Sequence, residues 1–396
     1  MAGRGPRLSS TDLAGFPPRD LRPPRPAAAE PAHVALADRR RHVGARHLLA
    51  PRAMANSWPM TTAWILNLDA EHELEAPRAY APTGRLRAIV AAQRVALFGS
   101  LVPIGDLVLE AREGRVGSGT ERWRALEVTG PGAARERLVA RDELAGRPAV
   151  AWSPTAGVRR LVEGSGLELA TLPVGPWSGA AGAPPDHALL ARVNARPFAA
   201  DLRRALPGDA FARDVVAELE PLLALLARPA PLGWLVRRSF GAAGRGRRRL
   251  ADLTARRPDE AEVAWLRASL TRGPVTVEPW VEVVTEYTRS GLVRPDGSLL
   301  LSGPCFQEVA RSGAWTRTEA AAGGEVARED DAALARALEA AGEALAAAGY
   351  HGPFGVDAFR YRDGAGGTRL NALGELNARY TMDWRPAMEG ALARGD

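Results

Sequence analysis

The sequence predicts an α/β chain whose C-terminal half is better described as α+β. Three observations carry this. Residues 63–110 run from an apolar strand (AWILNL) through an amphipathic helix (RLRAIVAAQRVALF) to a second strand (DLVLE), the order that gives parallel pairing. A glycine-rich stretch at 241–246 lies between two extended runs, WLVRR and RRRL. From residue 275 onward β-rich segments dominate, interrupted by one long alanine-rich helix. The chain has 396 residues, 46% of them hydrophobic, enough for two or three domain cores.

Residues 1–53 are set apart by proline, arginine and alanine. PPRDLRPPRPAAAEPA carries neither helix nor strand through its prolines, and no apolar signal-peptide core is present. A disordered tail is expected, or a true start at Met54 or Met60. Ten arginines and four acids there account for the whole formal charge of +6, so the remainder is neutral and carries no general footprint for nucleic acid. No run of about 18 apolar residues marks a membrane span. One cysteine, Cys305, excludes an internal disulfide and points to a reducing, cytoplasmic setting. The chain has no lysine, so any site that ordinarily uses one must use arginine or nothing.

Residues 54–185 continue after the first two strands with PAVAWSP and GVRRLVEGSGLELA, another strand and helix; 111–150 show no readable motif, and 172–186 (LPVGPWSGAAGAPPD) read as a linker. Residues 186–270 open with ALLARVNARPFAADLRRAL, helical around a proline break. FARDVVAELEPLLALLA is expected as a second helix and DEAEVAWLRASL as a third. Residues 271–396 hold VTVEPWVEVVTEYTRSGLV in extended chain, a hairpin turn RPDGS into LLLSG, and the helix DDAALARALEAAGEALAAAGY, stopped at a glycine. The strands around VDAFRY and LGELNAR follow.

The glycine segment predicts a strand–loop–strand hairpin. It lacks the spacing and following helix of a dinucleotide fingerprint, and the Gly-Lys-Ser/Thr of a P-loop. Such a tip lets backbone N–H groups face phosphates, with arginine on the entering strand as a fixed charge, although a solvated basic hairpin fits equally well. Asp357 on one strand, and Glu375 and Asn377 two apart on another, offer oxygen donors on one face, the ligand type Mg²⁺ prefers. Arg379 continues that face toward a phosphoryl group. Glu278–Val281, with Trp280, suits a hinge whose backbone meets an adenine edge, and Glu282 or Glu286 could take ribose hydroxyls; alternating outward residues explain these two as well. His351, beside the Asp357 strand, reads as structural.

In order, the flap WLVRRSFGAAGRG, hinge VTVEPWV, strand GPFGVDAF and strand GELNAR resemble the ATP-grasp superfamily over residues 187–384, preceded by a Rossmann-like pre-ATP-grasp domain. The resemblance implies ATP and Mg²⁺ as cofactors. It places Arg196 and Arg237 where the family carries phosphate-binding lysines, and Gly241, Gly244 and Gly246 in the flap. Glu278, Trp280 and Val281 fall at adenine and Glu286 at ribose, with Asp357, Glu375 and Asn377 as metal ligands and Arg237 and Arg379 as catalytic cations. It further implies ligation of a small-molecule acid to an amine through an acylphosphate, without membrane or nucleic-acid partners and with a homodimer left open. The arginine-for-lysine exchanges motivate a rival, a silent ATP-binding module; a third reading is a nucleic-acid binder through the tail.

Overall fold

The computed structural model describes residues 61–394 apart from 77–79, 114–121, 172–183, 207–210, 212, 242–244, 255, 310–314 and 364–365. The tail expected over 1–53, with Met54 and Met60, lies outside the described residues, as does Gly244.

The first layer begins at β1 (Ala63–Ile65), followed by α1 (Ala70–Glu75), α2 (Gly84–Ala96) and β2 (Leu107–Glu113). Next come β3 (Arg122–Gly130), β4 (Ala133–Ala140), α3 (Arg141–Leu144), β5 (Pro148–Ala151), α4 (Ala156–Ser165) and β6 (Glu168–Ala170). The sheet order is β4-β3-β2-β1-β5-β6. β1 pairs in parallel with β2 and β5, and β5 with β6, as the strand–helix–strand texture predicts. These central strands are apolar on both faces because helices cover them. The Thr83 hydroxyl accepts from the Leu86 N–H and starts α2, while Gly166 at φ 78° ends α4. The antiparallel β3–β4 hairpin occupies a region without a readable motif. Its Trp123 and Ala125 are buried two apart, in the period of a half-buried strand, and Val128 is buried three residues further on, out of that period.

The second layer runs α5 (His187–Asn194), α6 (Arg196–Ala205), β7 (Asp214–Val216), α7 (Leu219–Leu226), β8 (Trp234–Arg238), β9 (Arg247–Leu250), α8 (Glu260–Leu270) and β10 (Val275–Pro279). Its antiparallel sheet is ordered β7-β10-β8-β9. The proline break falls at Ala195, and Pro197 sits in the first turn of α6, where a missing N–H costs nothing. The single helix expected over 211–227 is corrected: its first part is strand β7, and the helix starts only at Leu219. The β-branched pair Val215–Val216 finds a ready edge on β10, and tertiary pairing overrides the helical texture. The glycine segment is a hairpin, β8 against β9, as expected.

The third layer comprises β11 (Glu282–Val293), β12 (Leu299–Leu301), β13 (Cys305–Val309), β14 (Trp315–Ala320), α9 (Arg328–Ala347), β15 (Gly352–Arg362), β16 (Thr368–Asn377) and α10 (Trp384–Arg394). The order is β14-β13-β11-β15-β16, with β12 also on β11. The RPDGS turn joins β11 to β12 as predicted. Helix α9 buries Leu334, Leu338 and Leu345 against this sheet and stops before Gly349, at φ 86°. Only Trp280 and Val281 separate β10 from β11, so the second and third sheets meet at a two-residue link. The first and third layers share a core in which Trp64, Trp152, Leu292, Tyr380, Trp384 and Met388 pack together. Among the described residues, no helix is long and apolar enough to cross a membrane.

Candidate active site

The site is built where three sheets face one another. Strands β15 and β16 pair antiparallel, placing Asp357 directly opposite Glu375 and Gly355 opposite Asn377. The register slips between Asp357 and Phe359, a bulge of the kind that re-aims side chains beside functional sites. Gly374 permits it, since a Cβ there would lie 3.0 Å from the Asp357 carbonyl oxygen. The Asn377 side-chain amide donates to Asp357 Oδ2 at 3.2 Å and accepts from Arg379 Nη2 at 3.0 Å. The three residues proposed as ligands are therefore neighbours.

Two arginines from the second layer reach Glu375. Arg196, the first residue of α6, donates through Nη2 to Glu375 Oε1 at 2.9 Å and to the Gly241 carbonyl at 3.0 Å, and through Nη1 to the Arg238 carbonyl at 2.8 Å. One side chain thus ties the base of the flap to the acidic strand. Arg237 lies 3.6 Å from both Glu278 Oε1 and Glu375 Oε2. Its Nε, which faces Glu278, and that of Arg196 are buried without a hydrogen-bond partner.

Burial opposes charge throughout, and the neighbours decide the outcome. Glu375 is held down at about 2 against burial by Arg196, then Arg237 and Arg379. Glu278 is lowered against burial by Arg213 and Arg237. Asp357 is pushed up to about 7, by burial first and then by the charges of Glu375 and Asp383. Burial also raises Glu286, with Arg247 opposing. Two carboxylates of one site are thus driven in opposite directions.

A cavity of about 280 Å³ is lined by Arg196, Arg237, Gly241, Glu286, Asp357, Glu375, Asn377 and Arg379 among the sequence-predicted residues. Gly246 closes the flap's neck: at φ 69° its carbonyl accepts from the Arg238 N–H at 2.8 Å. A Cβ on Gly241 would stand 2.3 Å from the Arg245 carbonyl oxygen, so Gly241→Ala must pry the neck open. We expect a loss on the order of 1–3 kcal/mol, read as a lower Tm by calorimetry; an unchanged Tm would show that the neck is already open.

Glu278, Trp280 and Val281 are not among the residues lining the cavity. The Glu278 carboxylate instead centres a buried pair with Arg213, 2.6 Å away, and the Trp280 ring carries Arg249 at 4.7 Å from its centroid. Glu282 pairs outward with Arg362, so of these two glutamates it is Glu286 that lines the cavity. Strand β16 ends at Asn377, so Arg379 lies beyond the alternating face, yet its guanidinium still reaches the cavity and is anchored by Glu71 of α1. His351 lines a separate cavity of about 20 Å³ with Tyr350 and Pro353.

Sequence reasoning missed the first layer's share, Leu68, Gln93 and Trp152, and the post-strand residues Thr381, Met382 and Asp383. No spacing rule links Glu71 to Arg379 across 308 positions. Among the described residues, no group of three or more histidine, cysteine, aspartate or glutamate side chains converges as a metal cluster. The expected trio is instead two carboxylates and an amide.

No protein-family model matches the chain, and no curated protein sequence does. Solved structures are similar to it at low identity. D-alanyl-alanine synthetase A from Vibrio cholerae is 13% identical, with 85% of this chain and 94% of that one covered and a TM-score of 0.44. Carboxyaminoimidazole ribonucleotide synthase from Aspergillus clavatus, complexed with ATP, is 15% identical over 82% of this chain and 71% of its own, with a TM-score of 0.40. N5-carboxyaminoimidazole synthetase from Staphylococcus aureus, complexed with ADP, is 9% identical over 81% and 71%, with a TM-score of 0.41.

Proposed function

We propose that this chain is an ATP- and Mg²⁺-dependent ligase that joins a carboxylate to an amine through an acylphosphate, as its ATP-grasp-like motifs imply. The observation that carries this reading is that the flap neck, two buried arginines and the Asp357–Glu375–Asn377 trio line one cavity. The donor set suits a hard cation. Asp357 carries a charge disfavoured by burial and by neighbouring acids, and no guanidinium pairs with it among the described residues. Asp357, Glu375 and Asn377 would hold Mg²⁺, which when bound neutralises phosphate oxygens.

The protein's own part is positioning and charge. Arg196 and Arg237, which line the cavity, would meet phosphate oxygens with a planar donor fork that lysine lacks. The flap backbone covers them. The substrate carboxylate oxygen attacks the γ-phosphorus, an acyl–O–P bond forms, and ADP leaves. The amine nitrogen then attacks the acyl carbon, phosphate departs, and the nitrogen loses its extra proton. Arg379, fixed by Glu71 and stacked 5.2 Å over Trp152, faces the charge that develops. No side-chain nucleophile is needed; Cys305 is buried, its thiol pushed up to about 12 by that burial. A reducing, cytoplasmic compartment suits this thiol.

The test is a thermal shift of the full chain with Mg-ATP, followed by ADP and phosphate assays over a matrix of acids and amines. A rise in Tm together with equimolar ADP and phosphate in one combination supports the reading. A rise in Tm with no turnover in any combination replaces it with a silent nucleotide-binding module. No rise in Tm removes both.

A further inference from the structure

The loop after β16 brings a fourth carboxylate into the cavity. Asp383 is 2% exposed and lines the same cavity as Asp357. Its Oδ2 accepts from the hydroxyls of Thr288 at 3.3 Å and Ser290 at 3.2 Å, both on β11. The Thr381 hydroxyl lies 3.3 Å from that of Ser290 and closes the nest. Neutral hydroxyls orient a carboxylate and lower the cost of its burial, but they do not cancel its charge.

The contrast with Glu375 is the informative point. Glu375 is matched by Arg196 and Arg237. Arg379, four residues before Asp383, is bound to Glu71 and Asn377 instead. No ion pair involves Asp383 among the described residues. A buried, hydroxyl-held carboxylate facing a cavity without a countercharge is a seat for a cation supplied from outside.

We propose that Asp383 is a specificity-determining residue that receives the ammonium group of the amine co-substrate. This rests on the ligase reading above and narrows it to nucleophiles that arrive as cations. An uncharged alcohol or thiol of the same shape leaves Asp383 buried and unmatched, and is rejected on that ground.

The experiment uses the full chain saturated with Mg-ADP. Its probes are small primary ammonium ions (ethylammonium, propylammonium, glycinamide and alaninamide), each beside the matching uncharged alcohol or acetylated amine. Wild-type protein is expected to show a saturable further rise in Tm with at least one ammonium probe and none with its uncharged partner. In Asp383→Asn the ammonium response should weaken at least tenfold in apparent affinity while the Mg-ADP response persists, which also reports folding. Thr288→Val, which loosens the carboxylate without removing it, should weaken it less. Loss of the Mg-ADP response in wild type would sink the ligase reading itself. An intact Mg-ADP response with no ammonium response, or one equal in Asp383→Asn, would overturn this proposal alone. A drop in bound Mn²⁺ per chain in Asp383→Asn, counted by electron paramagnetic resonance, would overturn it in favour of a second metal ion.

Discussion

Asp357→Asn should abolish ATP turnover, by at least about a thousandfold, and at the same time make the protein more stable at pH 8. The two effects share one origin. In the folded chain the Asp357 carboxyl is pushed from 3.8 up to about 7, by burial first and then by Glu375 and Asp383. The folded state therefore keeps a proton that the unfolded chain gives up about three pH units lower. The stability linked to that proton is fully present below about pH 4 and disappears as pH rises through about 7. Asparagine retains shape and hydrogen bonding but never ionises, so the loss vanishes. We expect Asp357→Asn to raise Tm at pH 8 by a few degrees and to flatten the fall in Tm between pH 5 and pH 8. Mg²⁺ with nucleotide should stabilise wild type at pH 8 and do little for the variant. A variant less stable than wild type at pH 8, or one that still forms ADP at the normal rate, would contradict the assignment.

Glu278→Ala is expected to carry the largest cost in stability. The carboxylate is 4% exposed, accepts from Arg213 Nε at 2.8 Å, and has Arg237 3.6 Å away on its other oxygen. Removing it leaves two buried guanidinium groups facing each other. Breaking a buried pair from one side typically costs about 3–5 kcal/mol, a fall in Tm on the order of 10 °C here. Glu278→Gln, which keeps an oxygen acceptor, should cost less. The measurement separates two roles. Were Glu278 important only through its backbone at an adenine-binding hinge, Ala would leave Tm nearly intact.

These residues also show what the sequence can reveal. Asp357, Glu375 and Asn377 were legible because strand alternation is local: two positions apart means one face, and buried flanks such as Val356 and Leu376 fix which one. The hairpin β8–β9 was legible because glycines between two extended runs leave few alternatives. Arg213 was not, since it lies in a segment that reads as helix. Its partner Glu278 is 65 positions away, and only the β7–β10 pairing brings them together. Asp383 carried no readable signal; its place in the cavity depends on hydroxyls from β11, more than 90 positions earlier. The contribution of Trp152 and Glu71 depends on how layers pack, and no periodicity encodes that. The β3–β4 hairpin is a different case: period-2 burial holds only over residues 123–125, too short a run to read.

The guanidinium groups of Arg196 and Arg237 already have an anionic companion in Glu375. On the proposed ligase reading, an arriving triphosphate would not meet bare positive charge; it would displace an internal counter-ion, and a cation travelling with it would take over the carboxylate so released. Loading would then be a partner exchange in which the charge inside the walls changes little. Such a site would discriminate against phosphates that come without their metal, because they would strand Glu375 in a dry interior with nothing to balance it.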